Sequence, residues 1–365
     1  MSLGPARRIT LREVAAELGI SAKTVSNAFS RPDQLSPALR DRVLDTAERL
    51  GYAGPDPLAA GLRRGRAGAL GFAYDNGLSY AFADPVAVAV LTGATAVAEP
   101  AGLGLLLVPG SVDVARAAAA VGGALVDGLV ACSLADDDPV LAAAAARRLP
   151  LAVIDQPRPS RLAALGPGPI PWVGVDDRAA AAEAARHVLE LGHRRLGVVG
   201  FGLTRAAERR LVDVPAQEAA TYAVTRDRLA GYRAAAESAG IDWAGVPVAE
   251  GTDSTVAEGE AGAAAVLART PRPTALICLS DRLAEGALRT AARLGLRVPE
   301  DLTVIGFDDA EPAGRLGLTS VAQPHRRKGE VAAGALLALL RGERPDAVTA
   351  LPAGLVVRRS SAPPG

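Results

Sequence analysis

Seven short apolar runs recur along most of this chain, separated by long alanine-rich stretches, and this alternation restricts the fold more than any single residue does. The runs are ALGFAY (69–74), LGLLLV (103–108), DGLVAC (127–132), PLAVID (150–155), RLGVVG (195–200), TALICL (274–279) and LTVIGF (302–307). Strands that are apolar throughout, rather than at every second residue, belong to sheets buried on both faces. With helices between them, they pair in parallel. The length accommodates two such sheets, and the chain is expected to cross between them near His193 to Arg195. Phe201 to Val224 breaks the rhythm and reads as a long surface loop with partial helix.

The first 51 residues follow another pattern, with three helices announced by start and stop signals. Thr10 and Glu13 form a capping box for a helix that buries Val14 and Leu18 and stops at Gly19. Ser21 caps the second helix, which turns Val25, Ala28 and Phe29 inward and Ala22, Lys23, Ser26 and Asn27 outward. Ser36 and Pro37 start a third, whose stripe of Leu39, Val43, Leu44, Ala47 and Leu50 ends at Gly51. Gly54 to Gly68 (GPDPLAAGLRRGRAG) reads as an interdomain linker, in which Pro57 to Leu62 forms at most a marginal helix.

A net charge of zero conceals an asymmetry. Residues 1–68 hold 11 Lys/Arg against 7 Asp/Glu and the remainder 29 against 33, so the head is net +4 and the body net −4. A positive excess on a small N-terminal unit suits contact with phosphate. No apolar stretch is long enough to span a membrane, and the charged N-terminus does not read as a secretory signal, so a cytoplasmic protein is expected. Cys132 and Cys278 each sit alone in an apolar run and read as core thiols. His187, His193 and His325 have neither metal-ligand spacing nor a nucleophile elbow nearby. In VGFG after Leu196-Gly197, the third glycine of a dinucleotide fingerprint would fall on Arg205. No metal, cofactor or catalytic group is expected.

Leu11 to Ser30 has the spacing of a helix-turn-helix, whose second helix would enter the major groove. Lys23 and Asn27 can donate to base edges or phosphates. Ser21 and Thr24 can bond phosphate oxygens beside a helix N-terminus, and Ala22 is small enough to approach a thymine methyl.

The segment ITLREVAAELGISAKTVSNAFSRPDQLSPALRDRVLDTAERLGY resembles the N-terminal headpiece of the lactose-repressor (LacI/GalR) family. Thr24-Val25-Ser26, Ser21 and Leu50-Gly51-Tyr52 stand where that family has them, while Ser30 replaces the usual asparagine. The linker's Asp56-x-x-Ala59-x-x-Leu62 resembles the family's hinge helix. The resemblance implies that Ala59 and Leu62 meet the minor groove, with Leu62 wedging a base step. It extends through WVGVDDRAAAAEAARHVLELGHRRLGVVG, RDRLAGYRAAAESAG, TALICLSDRLAEGAL and LTVIGFDDAEPAGRLGLTSVAQP. This implies a periplasmic-binding-protein-like body of two doubly wound parallel-sheet lobes around a ligand cleft.

Arg228 matches the family's effector-binding arginine, and its guanidinium fork suits hydroxyl pairs, carboxylates or phosphates. Asp308 and Ser280 follow strands, at the carboxyl ends where ligands bind in such sheets. Asp176, after WVGV, is expected in the cleft for the same reason, and Phe82 as an apolar platform. Asp253 stands where the family often has an aromatic that stacks on the ligand. A carboxylate bonds hydroxyl pairs but offers no stacking face, so a polyhydroxylated effector, a sugar or related metabolite, is expected rather than a purine.

The expected organisation is a helix-turn-helix headpiece over 1–56, a hinge helix and linker over 57–68, and an effector-binding body over 69–360. The N-terminal lobe takes about 69–194 and 324–344, the C-terminal lobe about 195–323 and 345–360. The expected function is a homodimeric, effector-controlled repressor of a pseudo-palindromic double-stranded operator. The competing reading is a solute-binding transport component, which would need export instead of a helix-turn-helix.

Overall fold

A computed structural model describes residues 9–54, 65–75, 77–110, 113–166 and 168–365. Ala59 and Leu62, the expected hinge contacts, lie outside the described residues. The chain divides into two compact units, Met1–Ala67 and Gly68–Gly365.

In the first unit, Thr10 and Glu13 close their capping box over α1 (Leu11–Leu18). Gly19 then turns the chain at φ 66°, a left-handed conformation that glycine adopts without Cβ strain. Ser21 caps α2 (Ala22–Ser30) and Ser36 caps α3 (Pro37–Leu50), each accepting from the backbone N–H three residues on, Thr24 and Leu39. Val14, Ala15, Val25, Ala28, Val43, Ala47 and Tyr52 make the core, and Phe29 meets the Tyr52 ring edge-on at 5.7 Å. Each buried valine contributes roughly 1.5–3 kcal/mol, so this unit depends on few side chains.

The second unit contains thirteen strands among its described residues: β1 (Ala69–Tyr74), β2 (Gly104–Pro109), β3 (Gly128–Cys132), β4 (Leu151–Ile154), β5 (Trp172–Gly174), β6 (Leu196–Gly200), β7 (Arg210–Leu211), β8 (Val248–Glu250), β9 (Ala275–Cys278), β10 (Thr303–Asp308), β11 (Thr319–Ala322), β12 (Val348–Ala350) and β13 (Gly354–Val356). They form two sheets, ordered β12-β5-β4-β3-β1-β2 and β13-β11-β10-β9-β6-β8-β7. Without the late and edge strands, both have the order 2-1-3-4-5 of a doubly wound fold. The first sheet is parallel throughout; β7 and β13 are the antiparallel edges of the second. Val and Ile of β3, β4, β9 and β10 are buried on both faces, which is why those runs lack polar alternation.

Two expected boundaries are corrected. The helix Asp177–Glu190 packs through Ala180, Ala181, Ala184, Ala185 and Val188 into the core of the second sheet. The first crossing therefore follows β5, near Val175, and not His193 to Arg195. Near the C-terminus, β12 pairs with β5 in the first sheet before β13 joins β11, so part of 345–360 belongs to the N-terminal lobe. The remaining crossing lies between β11 and the helix His325–Leu340, which packs on the first sheet.

The helix Asp177–Glu190 lies close against the helix Ala223–Ser238. A Cβ on Gly231 would stand 2.3 Å from the Arg178 carbonyl oxygen, so only glycine permits this approach. The segment 201–224, expected as a surface loop with partial helix, contains the short helix Val214–Glu218 and edge strand β7, and it buries Leu203, Val212 and Ala220. Among the described residues, no helix is long and apolar enough to cross a membrane.

Candidate effector site and helical reading face

The carboxyl ends of the two sheets face one cavity of about 140 Å³ within the second unit. That is below the roughly 300 Å³ at which clefts for drug-sized ligands begin, a scale for a small metabolite. Each lobe brings an aspartate from its fourth strand: Asp155 just after β4 at φ 64°, Asp308 at the end of β10 at φ 117°. Non-glycine residues at positive φ are strained, and such strain concentrates at functional sites.

Arg228 is buried at the cavity wall with its guanidinium 3.6 Å from the centre of the Phe307 ring. Its Nε donates to Asp177 Oδ1 at 2.9 Å and its Nη1 to the Leu279 carbonyl at 2.5 Å; Asp308 Oδ1 stands 3.8 Å away. Burial pushes the Asp308 carboxyl well above its usual range, against the pull of Arg228. Asp308 Oδ1 accepts from Gln323 Nε2 at 2.9 Å, while Gln323 Oε1 accepts from the fully buried Lys328 at 2.6 Å. Lys328 also donates to Asp155 Oδ1 at 2.6 Å.

Ser280 and Asp253 also line the cavity. Ser280 caps the helix Asp281–Arg293 and shares a 2.7 Å hydrogen bond with Ser254; Asp253 Oδ1 accepts from the Ser254 N–H. The cavity thus gathers Arg228, Asp253, Ser280 and Asp308.

Two expected residues are elsewhere. Asp176 is exposed and its carboxylate caps the helix Asp177–Glu190; the next residue, Asp177, is the buried one. Phe82 is 69% exposed on the short helix Leu78–Ala83, which turns Tyr80 to the cavity instead.

Several lining residues escaped the sequence reading. Tyr74 and Tyr80 stack at 6.0 Å, and with Phe201 and Tyr222 they supply aromatic surface. A carboxylate at Asp253 therefore does not deprive the ligand of a ring to lie against, and that argument against an aromatic effector fails. Tyr222 donates from the C-terminal lobe to Asp75 of the N-terminal lobe, whose carboxyl burial pushes up to about 6.

His325, at the crossing between lobes, is held neutral. Burial, reinforced by Lys328 and Arg228, lowers its pKa to about 3. Its Nε2 lies 3.2 Å from the Asp308 carbonyl, which can only accept, so Nε2 carries the proton. Nδ1 is then an acceptor, and it is buried without a partner among the described residues. An acceptor left unpaired invites a ligand donor.

Asp177 joins the lobes. Burial alone would raise its carboxyl, but Arg228 and Arg158 together hold it below the usual range. Arg158, of the N-terminal lobe, donates to Asp177 Oδ2 at 2.8 Å and to Asp227 at 2.8 Å. Among the described residues, no group of His, Cys, Asp and Glu could hold a metal ion.

In the first unit, Lys23 is exposed on α2 and Asn27 is half-buried, its amide 3.4 Å from Gln34 Oε1. Ser21 Oγ accepts from the Thr24 N–H and shares a 2.8 Å hydrogen bond with the Thr24 hydroxyl, so the pair has one hydroxyl hydrogen left over. Ala22 packs partly against the core.

Two parallel-sheet lobes around a polar cavity, preceded by a small helical unit, define a ligand-binding protein with an added N-terminal module. Residues 185–361 match the periplasmic binding protein-like domain family. Over its whole length the chain is 44% identical to an HTH-type transcriptional regulator of Mycobacterium tuberculosis, covering 100% of both. A LacI-family transcriptional regulator from Corynebacterium glutamicum has a similar structure, with TM-score 0.73 and 36% identity, covering 98% of this chain and 99% of that one. The regulator CelR in complex with cellobiose is similar at TM-score 0.69 and 26% identity, covering 97% and 100%. The chain belongs to the LacI/GalR family of HTH-type transcriptional regulators. Its relatives are DNA-binding regulators and not enzymes, and the same holds for this chain.

Proposed function

We propose that this regulator is a homodimeric repressor that reads a pseudo-palindromic operator through α2 of a helix-turn-helix headpiece and is controlled by a neutral polyhydroxylated effector. α2 follows α1 after a short turn and carries Lys23, Thr24 and Asn27 away from the core residues Val25 and Ala28. Lys23 and Asn27 serve base edges and phosphates; Ser21 and Thr24 present their remaining hydroxyl hydrogen to a phosphate beside the helix N-terminus. Ala22 lies against a thymine methyl. The protein works in the cytoplasm, where its operator is.

The observation that carries the effector class is the pairing of acceptors with one committed cation. Asp253, Asp308 and the Nδ1 of His325 can accept, while the guanidinium of Arg228 is already engaged by Asp177. Hydroxyl groups donate to such acceptors and accept from a guanidinium, whereas a phosphate or carboxylate brings acceptors alone and finds that guanidinium already engaged. The aromatic walls suit the apolar face of a ring. A relative of the same fold is known in complex with cellobiose, a neutral sugar.

The test is a gel shift with the DNA upstream of the protein's own gene, repeated with neutral sugars and with their phosphates. The reading requires a shift that neutral compounds alter and phosphorylated ones do not. No specific shift, or a response only to the phosphates, would overturn it.

A further inference from the structure

The Asp177 carboxylate is divided between two guanidiniums on opposite sides of the interlobe boundary. Its Oδ1 accepts from Arg228, which lines the cavity, and its Oδ2 from Arg158, which belongs to the N-terminal lobe. Asp177 itself opens the helix Asp177–Glu190 on the second sheet and does not touch the cavity. Arg158 is fixed on its own side by the Asp155 carbonyl at 3.2 Å and lies over the Trp172 ring at 5.5 Å. Its second anion, Asp227, is one residue before Arg228 on the helix Ala223–Ser238. One arginine thus clasps two helices of the other lobe, and one of its two anchors is the carboxylate that orients the cavity arginine.

We propose that Arg158 is an interlobe latch and that Asp177 is the positioning residue that lets the latch sense Arg228, so that occupation of the cavity is read as a change in lobe closure. The inference rests on the effector reading above. An effector that bonds Arg228 while it stays on Asp177 holds the carboxylate in place for Arg158 and favours the closed seam. Without Arg228, the carboxylate is free to turn, and the latch retains only Asp227 as a fixed anchor. The arrangement is a two-state element biased from one site, which is what coupling between ligand and conformation requires. A carboxylate shared between two charge-assisted bonds transmits direction because each bond fixes the other's geometry.

The seam contains its own reporters. The Asp136 N–H donates to the Thr221 carbonyl at 3.0 Å and the Val224 N–H to Gln156 Oε1 at 2.8 Å, both across the lobes. Their hydrogen exchange in the full-length protein follows lobe opening and needs neither effector nor operator. Arg158→Gln and Asp227→Asn each cut the latch without touching the cavity, and both sites are partly exposed, so these variants retain their fold. Exchange at Asp136 and Val224 is expected to rise several-fold in each, with the amides of β3 and β9 unchanged. Arg228→Lys, which cannot bond Asp177 and the Leu279 carbonyl with the same fork, is expected to raise seam exchange as well, through the Asp177 carboxylate that it shares with Arg158. Unchanged exchange in Arg158→Gln would show that no latch exists. Raised exchange in Arg158→Gln with none in Arg228→Lys would show a latch that the cavity does not reach, which also overturns the proposal. A failed operator shift by the parent protein would strike the regulator reading alone.

Discussion

The two lobes of the body repeat one strand order and place an aspartate at the same point of it, but they treat that aspartate differently. Asp155 after β4 is bonded at 2.6 Å by Lys328, an ammonium with no exposed surface. Asp308 at the end of β10 accepts from the neutral Gln323 amide at 2.9 Å, its Oδ1 lies 3.8 Å from the guanidinium of Arg228, and that guanidinium donates to Asp177 and the Leu279 carbonyl instead. One carboxylate is consumed in holding the N-terminal lobe to the crossing; the other remains available to a ligand. A shared backbone position therefore acquires structural or recognition duty from the cation beneath it.

Removing that cation tests the comparison most severely. Lys328→Met nearly preserves side-chain volume but strands the buried Asp155, and loss of one partner of a buried ion pair costs about 3–5 kcal/mol. Urea denaturation should show a fall of that size. A change below about 1 kcal/mol would mean that Asp155 is as unencumbered as Asp308, and the contrast between the lobes would fail.

A smaller effect separates the lobes by pH. Asp75 sits in the N-terminal lobe against Tyr222 of the other, and burial raises its pKa to about 6. A carboxyl raised in the folded state favours folding below its unfolded pKa, and that contribution is lost as pH climbs from about 4 to about 6. Asp75→Asn should therefore gain on the parent over that window, by at most about 3 kcal/mol, and hold the gain above it. Melting temperatures across the range measure this; parallel curves for parent and variant would show that Asp75 is not desolvated by the opposing lobe.

The duplication was only half legible in the sequence. All seven apolar runs are strands, because a doubly covered strand must be apolar throughout, but β7, β8, β12 and β13 are two or three residues long and carry no period. Nothing in the sequence puts the crossing after β5 rather than one helix later, since an alanine stripe packs equally well on either sheet. At the site, the rule that found Asp308 and Ser280 at strand ends applied equally to Asp155 in PLAVID. Lys328 stands within the charged run HRRKGE, which carries no local signal of burial, and only the tertiary fold turns this lysine inward. In the six-residue helix Leu78–Ala83 the spacing could not decide between Phe82 and Tyr80, and the contact between Asp177 and Arg228 depends on Gly231, a packing feature with no local pattern.

The recognition half of the comparison predicts a split in effector response. Asp308→Asn keeps the shape and one acceptor but exchanges the second carboxyl oxygen for an NH2 donor, and should weaken the effector's action on operator binding by about 1–3 kcal/mol, with operator affinity in its absence unchanged. Asp155→Asn should alter folding stability more than effector response. Titration of operator complexes with the responding sugar reads both. Equal loss of response in the two variants would make the aspartates functional twins.

The smallest expected effect belongs to His325, which stands at the crossing and so belongs to both lobes. Its Nε2 proton is committed to the Asp308 carbonyl, leaving Nδ1 as an acceptor with no partner among the described residues. On the proposed reading a hydroxyl of the effector completes it, and a hydrogen bond between neutral partners contributes about 0.5–1.5 kcal/mol. His325→Leu removes both ring functions and should weaken the effector by that amount, whereas His325→Gln, which can donate from its amide nitrogen and accept at its oxygen, should recover part of it. Because the imidazole titrates only near pH 3, the effector affinity of the parent should show no step near the ordinary histidine pKa, and neither variant should introduce or remove one. A step near pH 6.5 that vanishes in His325→Gln would mean that the ring is solvated and charged in the free protein, and Nδ1 would then be a donor, which reverses the hydrogen-bonding sense required of the ligand at that point.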